Sequence, residues 1–330
     1  MPQLANLGHI DRALTNISIA YVQGADAFVA DKVFPIVPVQ KRSDVYFKYS
    51  KEDMFRDEVK ERGQGAESAG GDYNVEVEDP YLCKKYAYHK DITEEERTNY
   101  DSPLSVDRDT TEWLTHKWLL NRELNFANKF FKTGVWGTEF TGKTATPSTG
   151  EVLKWSEELS DPIKNVNDAM LQMAEETGRK PNFAIMAPDV FYALKQHGDI
   201  MDRIKYTQKG VITLDLIAGL FELDQVFIPW GILNKGEKTP KYSEDEADMN
   251  FIYKGSMLLG YKTSRPSLKS PTAGYIFSWT GLEGTGAYGG RIVRLPMDML
   301  GLGTERIEIE GAYDQKVICK DMGIFFKELV

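Results

Sequence analysis

The stretch that decides the fold is KRSDVYFKYSKEDMFRDEVKERGQ, residues 41–64. Its 24 positions hold seven basic and six acidic residues, with both signs interleaved and little apolar surface. Residues 45–48 alternate as in a strand with a solvated face, and a second alternating run, NVEVE, follows at residues 74–78. Four glycines between residues 63 and 71 loosen the connection. We therefore predict a two-stranded excursion, with a mobile solvated loop as the alternative.

The region before this stretch is apolar and needs a surface to cover it. The run ADAFVADKVFPIVPVQ, residues 25–40, is apolar but is interrupted by Pro35 and Pro38. Prolines at these positions exclude a helix interior or a central strand and favour an extended arm. An extended apolar arm must lie on its own domain or on a neighbour's. Because an isolated two-stranded arm is also marginal in water, we expect sister copies to cover both segments.

The composition of the 330-residue chain is that of a folded protein, with 42% hydrophobic residues. Two structural units, or one domain with long extensions, are expected at this length. The formal net charge of −10 opposes binding to phosphate backbones, and no run of Lys and Arg forms a basic patch. The N-terminus does not resemble a signal peptide, and no apolar run approaches the roughly 20 residues of a membrane span. We expect no export and no membrane.

The two cysteines, Cys83 and Cys319, lie far apart in the sequence and in no C-x-x-C pair. Two thiols do not form the framework of a secreted disulfide-rich domain. We predict two reduced, structural cysteines, with a disulfide between two β segments as the alternative.

One motif favours a different function. GTEFTGKT, residues 137–144, fits the phosphate-binding pattern G-x-x-x-x-G-K-[ST]. A working loop of this kind joins a buried strand to a helix whose N-terminus faces the phosphates. Here the upstream segment has helical spacing, and Pro147 and Gly150 would break the helix that must begin at Lys143. Asp189, the best candidate for a Mg²⁺ partner, is better explained as a helix N-cap. We predict a loop that does not hydrolyse nucleotide.

Other patterns that could carry chemistry are weak. GTGAYG, residues 284–289, fits a dinucleotide-binding pattern, but a strand-like run and Pro296 follow where a helix is required. The acidic residues 94–96 predict a solvated helical turn. The histidines have no metal-ligand spacing: His9, His89, His116 and His197. We predict no catalytic residue, no cofactor and no metal site.

The other segments alternate between helix and strand patterns. A long helix is predicted at about residues 103–131, capped by Ser102 and about 42 Å long. Residues 161–305 mix shorter helices and strands. The alternating strand near the C-terminus is predicted to place two isoleucines inward and two glutamates outward: Ile307 and Ile309, Glu308 and Glu310.

The order of these parts matters more than any one of them. The phrases are FVADKVFPIVPVQKRSDVYFKY, RGQGAES, YLCKKYAYHKDITEEERTN, DSPLSVDRD, WLLNRELNFANKFF and YDQKVICKDMGIFF. They follow one another from about residue 25 to the end of the chain. In this order and spacing the chain resembles the major capsid proteins of tailed bacteriophages with the Hong Kong 97-type fold.

The resemblance implies an α+β fold in four parts. These are an N-terminal arm (residues 1–40), an extended β-hairpin loop that reaches over a neighbour (residues 41–74), a peripheral domain with the long helix as its spine and a β-sheet (residues 75–160 and 306–330), and an α/β axial domain (residues 161–305). Such subunits interlock, and a closed shell gains stability from the sum of many contacts that are individually weak.

The resemblance also implies a function and partners. The chain is expected to form pentamers and hexamers of an icosahedral shell around phage double-stranded DNA. Because the chain is negatively charged, its contacts with that DNA are expected to be non-specific. A separate scaffolding protein, a portal and decoration proteins are the expected partners, with assembly in the host cytoplasm and a final place in the virion. Some relatives are joined by Lys–Asn isopeptide bonds. Lys48, Lys51 and Lys60 lie in the corresponding loop, but no acceptor or catalytic acid is evident, and we predict no crosslink.

Two alternatives remain at this stage. An encapsulin, a cellular compartment with the same fold, is the first, and co-purification of an enzyme cargo would favour it. A P-loop nucleotide hydrolase built around Lys143 is the more remote alternative, since the context of its motif is wrong.

Overall fold

The computed structural model shows a mixture of helices and strands, which confirms the predicted α+β class. The described residues are 23–77, 79–100, 105–204, 213–236, 248–266, 270–281, 288 and 290–330. The helices are α1 (Lys51–Met54), α2 (Glu94–Thr98), α3 (Val106–Phe130), α4 (Pro162–Thr177), α5 (Pro188–Gln196), α6 (Gly198–Ile204) and α7 (Leu214–Leu220). The strands are β1 (Ile36–Val39), β2 (Ser43–Asp44), β3 (Phe47–Tyr49), β4 (Val75–Val77), β5 (Tyr81–Leu82), β6 (Lys84–Ile92), β7 (Thr138–Lys143), β8 (Glu151–Leu153), β9 (Phe183–Met186), β10 (Gln225–Phe227), β11 (Ile232–Asn234), β12 (Met249–Phe251), β13 (Met257–Gly260), β14 (Gly274–Trp279), β15 (Arg291–Pro296), β16 (Glu305–Val317) and β17 (Gly323–Lys327).

Helix α3 is the predicted spine. It has 25 residues, which makes it about 37 Å long. Its N-cap is Ser105, and the predicted cap, Ser102, lies outside the described residues. Leu114 and Trp118 lie on its buried face, where the Trp118 ring is 5.9 Å from the ring of Tyr313 in β16. The helix therefore packs along the longest strand.

The first sheet is built around β16, which has 13 residues. Its order is β1-β14-β16-β15, and β6 also pairs with β16. Strands β14 and β15 pair with successive parts of one edge of β16, and β6 lies on the opposite edge. Strand β1 runs parallel to β14 at the outer edge, where Pro38 can be accommodated because an edge strand does not need every N–H.

The second sheet has the order β10-β9-β13-β17-β7-β8. Every residue of β9 and of β13 is buried, so these strands form the centre of the core. Helix α4 lies over the sheet with a buried face that includes Val166 and Met170. The sheet takes strands from both segments that the resemblance assigns to different domains, and the boundaries at residues 160 and 305 stay a prediction.

The predicted loop around the phosphate-binding pattern is wrong. Residues 138–143 form strand β7, which pairs in parallel with β17 and with β8. The pairing requires a bare backbone at Gly142, since a Cβ there would lie 1.9 Å from the carbonyl oxygen of Glu328. Lys143 extends from the end of this strand, with its Nζ 3.9 Å from a carboxylate oxygen of Glu151. A segment built into a sheet cannot wrap its N–H groups around a phosphate, so the P-loop alternative is excluded on geometry.

The expectation that sister copies cover the apolar N-terminal run is wrong for residues 28–39. Phe28, Val33 and Phe34 are at most 2% exposed within their own chain, and β1 pairs with the chain's own β14. The Phe34 ring lies 4.8 Å from that of Phe130 at the end of α3. Prolines that prevent a central strand still permit an edge strand, and the chain's own core provides the surface.

Two local predictions are also wrong. Glu310, predicted to face outward into solvent, is only 5% exposed, because Arg291 on β15 and Lys85 on β6 pair with its carboxylate from both sides. Asp189 is not an N-cap, since Ala187 holds that position. Its carboxylate instead accepts a hydrogen bond of 2.7 Å from the N–H of Gly255. Both misplacements come from partners that are distant in sequence.

Candidate functional site

The charged stretch forms a two-stranded arm, as its alternation predicted. Strand β3 pairs antiparallel with β4, which places Phe47 opposite Val77, Lys48 opposite Glu76 and Tyr49 opposite Val75. The connection between the strands, residues 50–74, contains the single turn of helix α1. We call residues 45–77 the arm. Apolar and charged pairs alternate along it, so one face carries four apolar side chains and the other is charged, and an apolar face this small cannot form a core alone.

The base of the arm is fixed to the first sheet. Strand β2 pairs with β5, and the side chain of Arg42 donates a hydrogen bond of 3.1 Å to the carbonyl of Cys83. Tyr81 is buried and stacks on Phe277 of β14 with 4.5 Å between ring centroids. Lys316 donates to the carbonyl of Pro80 at 3.0 Å. These contacts orient the arm where it leaves the body.

The middle of the arm also contacts the body. The Nζ atom of Lys51 lies 2.8 Å from a carboxylate oxygen of Asp321, and this hydrogen bond raises the pKa of Lys51. The ring of Phe55 lies near Gly178, at the C-terminal end of α4, where an added Cβ would be 3.5 Å from the ring. Both side chains remain largely exposed, so this contact restrains the arm without burying it.

Beyond this contact, no described part of the chain covers the arm. Every described residue from 56 to 77 is exposed. Large apolar side chains of the arm are also exposed: Phe47 at 60%, Met54 at 54%, Phe55 at 66%, Val59 at 90%, Tyr73 at 57% and Val77 at 62%. A soluble monomer rarely leaves so many apolar side chains uncovered on one projection. The arm is therefore built to contact another molecule.

A second apolar projection lies at the other end of the first sheet. The connection between β15 and β16 exposes Met299 at 98%, Leu300 at 57% and Leu302 at 87%. The open cleft beside it, about 480 Å³, is lined in part by ion-paired groups. Arg97, for example, lies 3.2 Å from Asp107 and 2.9 Å from Glu305. Arg97 of α2 thus joins α3 to β16 at this cleft.

Among the residues that the structure describes, the candidate chemical groups named from the sequence do not come together. Within the described ranges, no three His, Cys, Asp or Glu side chains lie close enough to hold a metal ion. His9 and most of the 284–289 pattern lie outside those ranges. Cys83 and Cys319 are both free, as predicted, and burial raises the pKa of Cys83 to about 12. Among the described helices, none is long and apolar enough to cross a membrane.

Sequence reasoning missed a buried carboxylate that holds the N-terminal run in place. Glu123 on α3 is fully buried, and its Oε2 accepts hydrogen bonds from the N–H groups of Val29 (3.0 Å) and Ala30 (2.8 Å). Its Oε1 accepts one from the hydroxyl of Tyr253 at 2.7 Å. Burial raises the pKa of Glu123, and the three donors oppose that shift. The sequence feature that could have revealed this carboxylate is a glutamate on the apolar face of a predicted helix.

Next to Glu123, a second buried group of α3 reaches the same N-terminal run. The guanidinium of Arg122 lies 3.2 Å from a carboxylate oxygen of Asp31 and 4.4 Å from the ring centroid of Tyr288. Consecutive residues of the spine thus hold consecutive residues of the run, which fixes where the chain enters the body.

The comparisons with known proteins agree with this architecture. A major capsid protein of Burkholderia phage BcepMu is 24% identical over 267 residues, 79% of this chain and 79% of that protein. A major capsid protein of Pseudomonas phage JBD67 is 26% identical over 328 residues, 97% of each chain. No protein-family model matches the chain.

Solved structures show the same fold. A phage-related protein from Bordetella bronchiseptica RB50 has a TM-score of 0.68 at 17% identity, over 93% of this chain and 94% of that one. The mature capsid of bacteriophage PhiM1 has a TM-score of 0.58 at 9% identity, over 94% and 89%. The SrpI encapsulin of Synechococcus elongatus PCC 7942 has a TM-score of 0.56 at 12% identity, over 96% and 93%. The resemblance inferred from the sequence is confirmed: the chain is a homologue of phage major capsid proteins and has the fold of a phage capsid subunit.

Proposed function

We propose that this protein is the major capsid protein of a tailed phage, whose copies assemble as pentamers and hexamers into an icosahedral shell around double-stranded DNA. The observation that carries the proposal is the arm. It is attached firmly at its base, it is uncovered over residues 56–77, and it occurs in a chain homologous to capsid proteins.

In this proposal the arm lies across a neighbouring subunit. Its exposed Val59 and Tyr73 supply apolar contact, and its interleaved charges supply pairs with the neighbour. A single exposed pair such as Arg56 with Glu58, 3.6 Å apart, contributes only about 0–1 kcal/mol. Weak pairs let subunits separate and correct their positions during assembly, and the closed shell then adds many of them together.

The proposal also assigns a role to each segment of the chain. Residues 75–160 and 306–330 act as the peripheral domain, and residues 161–305 act as the axial domain at the centre of each capsomer. A separate scaffolding protein, a portal and decoration proteins act with the chain during assembly in the host cytoplasm. No covalent crosslink and no enzymatic step are part of the proposal.

Electron microscopy of the expressed protein, with and without its scaffolding partner, tests the proposal. Shells, rings or capsomers are expected. Replacing residues 56–73 by a short Gly-Ser linker is expected to leave a folded subunit that no longer assembles, because every one of those residues is exposed. A change of exposed Leu159 to Ser serves as the control and is expected to assemble. A strictly monomeric wild-type protein at high concentration in both conditions would refute the proposal.

An encapsulin shell is the second candidate, because the SrpI encapsulin shares the fold. Both sequence relatives described above are phage capsid proteins, which favours the phage shell. Shells that purify with an enzyme cargo would support the compartment, and shells that incorporate a portal would support the phage head.

A further inference from the structure

Helix α1 of the arm contacts the body through Lys51, which faces carboxylates of two other elements. Its Nζ lies 2.8 Å from an oxygen of Asp321, in the connection between β16 and β17. The hydrogen bond to Asp321, and further the negative charge of Glu176 near the end of α4, raise the pKa of Lys51. The ammonium group therefore lies near the C-terminal end of α4, where the helix dipole favours a cation.

Phe55 adds an apolar contact beside this ion pair. Its ring lies against Gly178, where an added Cβ would be 3.5 Å from two of the ring atoms. Gly178 is the C-cap of α4 and has a φ of 67°, a conformation that glycine adopts without strain. The same glycine thus ends α4 and leaves room for the ring of Phe55 next to the backbone.

The body holds both carboxylates in place before the arm meets them. Asp321 lies against Gly137, where an added Cβ would be 2.9 Å from one carboxylate oxygen. The N–H of Gly137 also donates a hydrogen bond of 3.1 Å to the carbonyl of Lys320. Glu176 accepts a hydrogen bond of 3.1 Å from Gln172, one turn earlier on α4. Helix α1 therefore contacts positioned groups of the body.

The contact restrains both strands of the arm, because α1 is tied to the returning strand. The N–H of Asn74 donates to a carboxylate oxygen of Asp53 at 2.9 Å, and the N–H of Ser50 donates to the carbonyl of Asn74 at 3.1 Å. The rings of Tyr49 and Tyr73 lie 5.8 Å apart. Holding α1 in place therefore also holds residues 73 and 74.

The contact holds the arm without hiding its apolar surface. Met54 is 54% exposed, Val59 is 90% exposed and Tyr73 is 57% exposed. A contact that kept the arm from binding another molecule would cover these side chains. Because a mobile segment loses conformational entropy when it binds, an arm that is already held in one orientation binds at a lower cost.

We propose that Lys51 and Phe55, seated on Asp321 and on the end of α4, form a latch that holds the arm of the free subunit in the orientation in which it binds a second copy. The second copy as partner rests on the proposed function, whereas the latch is a property of one chain. Loss of the latch leaves the body folded, loosens the arm and weakens assembly.

Exchange of the two charges tests the latch. Lys51→Glu is expected to speed hydrogen exchange at residues 47–55 and 73–77 of unassembled subunits. It should also raise the concentration at which shells form by about two- to fivefold, the range expected from one exposed ion pair. Asp321→Lys should have the same two effects. The double variant restores an ion pair of opposite direction and is expected to return both measurements toward wild type.

A matched control and the opposite outcomes complete the test. Lys60→Glu makes the same change of charge on an exposed arm residue beyond the latch, and should leave exchange at residues 47–55 unchanged. Unchanged exchange in Lys51→Glu would overturn the latch and leave the proposed shell function standing. Shell formation by Lys51→Glu at a lower concentration than wild type would overturn it as well, because the contact would then oppose binding. Failure of the wild type to assemble would refute the proposed function, while exchange in the subunits still decides whether the latch exists.

Discussion

Replacement of Glu123 by alanine tests whether one buried carboxylate holds the N-terminal run on the spine helix. The change removes the acceptor for three donors: the N–H groups of Val29 and Ala30 and the hydroxyl of Tyr253. Val29 and Ala30 are at most 3% exposed, so water cannot replace the lost partner without opening the structure.

The magnitude follows from these contacts. Each buried donor left without a partner costs about 1–3 kcal/mol, and relaxation around the small alanine side chain recovers part of the sum. We therefore expect the free energy of unfolding to fall by about 3–5 kcal/mol, a large share of the 5–15 kcal/mol typical of a folded protein. The effect should be concentrated in residues 28–39, which are held to the body beside these donors.

Two assays on unassembled subunits measure this. Denaturant unfolding gives the change in free energy, and hydrogen exchange followed by mass spectrometry shows whether residues 28–39 lose protection. Glu123→Gln is the matched control, since its amide oxygen can accept both N–H groups while its NH₂ donates to the Tyr253 oxygen. A loss of less than about 1 kcal/mol in Glu123→Ala, with protection at residues 28–39 unchanged, would refute the reasoning.

Four further predictions follow from individual contacts. Burial raises the folded-state pKa of Glu123 above its unfolded value, so the stabilising contribution of Glu123 declines as pH rises through the folded pKa. When unfolding is measured against pH, the free energy of unfolding of wild type should therefore decrease with rising pH relative to that of Glu123→Gln. The pKa of Glu310 is lowered, chiefly by Lys85 and also by Arg291. Glu310→Gln should therefore reduce the free energy of unfolding by about 1–3 kcal/mol at neutral pH. In unfolding curves this difference should vanish as pH falls below the usual carboxyl range, because Glu310 is then protonated. Cys83 should stay unlabelled by iodoacetamide at pH 8 in the native protein and react after denaturation, because its pKa is about 12 and it is buried; rapid native labelling at Cys83 would contradict this. Gly142→Ala should destabilise the subunit by about 1–3 kcal/mol or more in thermal unfolding, whereas Gly24→Ala, with nothing within 4 Å, should be close to neutral.

The errors in the sequence analysis show which information was missing. The phosphate-binding pattern was rejected correctly, but it was assigned to a loop because Pro147 and Gly150 exclude a helix and nothing local favours a strand. Strand β7 exists because β17, nearly 190 residues later, pairs with it. Glu310 was placed outward by alternation, and only the cations on two neighbouring strands explain why it is buried.

The sequence by itself determined the features that depend on local pattern. The alternation and charge of residues 41–64 predicted a two-stranded arm, helical spacing predicted the spine, and the order of the segments indicated the capsid family. Only the tertiary structure decided which segments the chain covers for itself. Residues 28–39 have the same apolar, proline-interrupted sequence whether they lie on a neighbour or on their own core. The choice depends on Glu123, Phe130 and β14, which lie far away in sequence. A local pattern reports which face of a segment is apolar, but the surface that buries that face is formed only when distant parts of the chain come together.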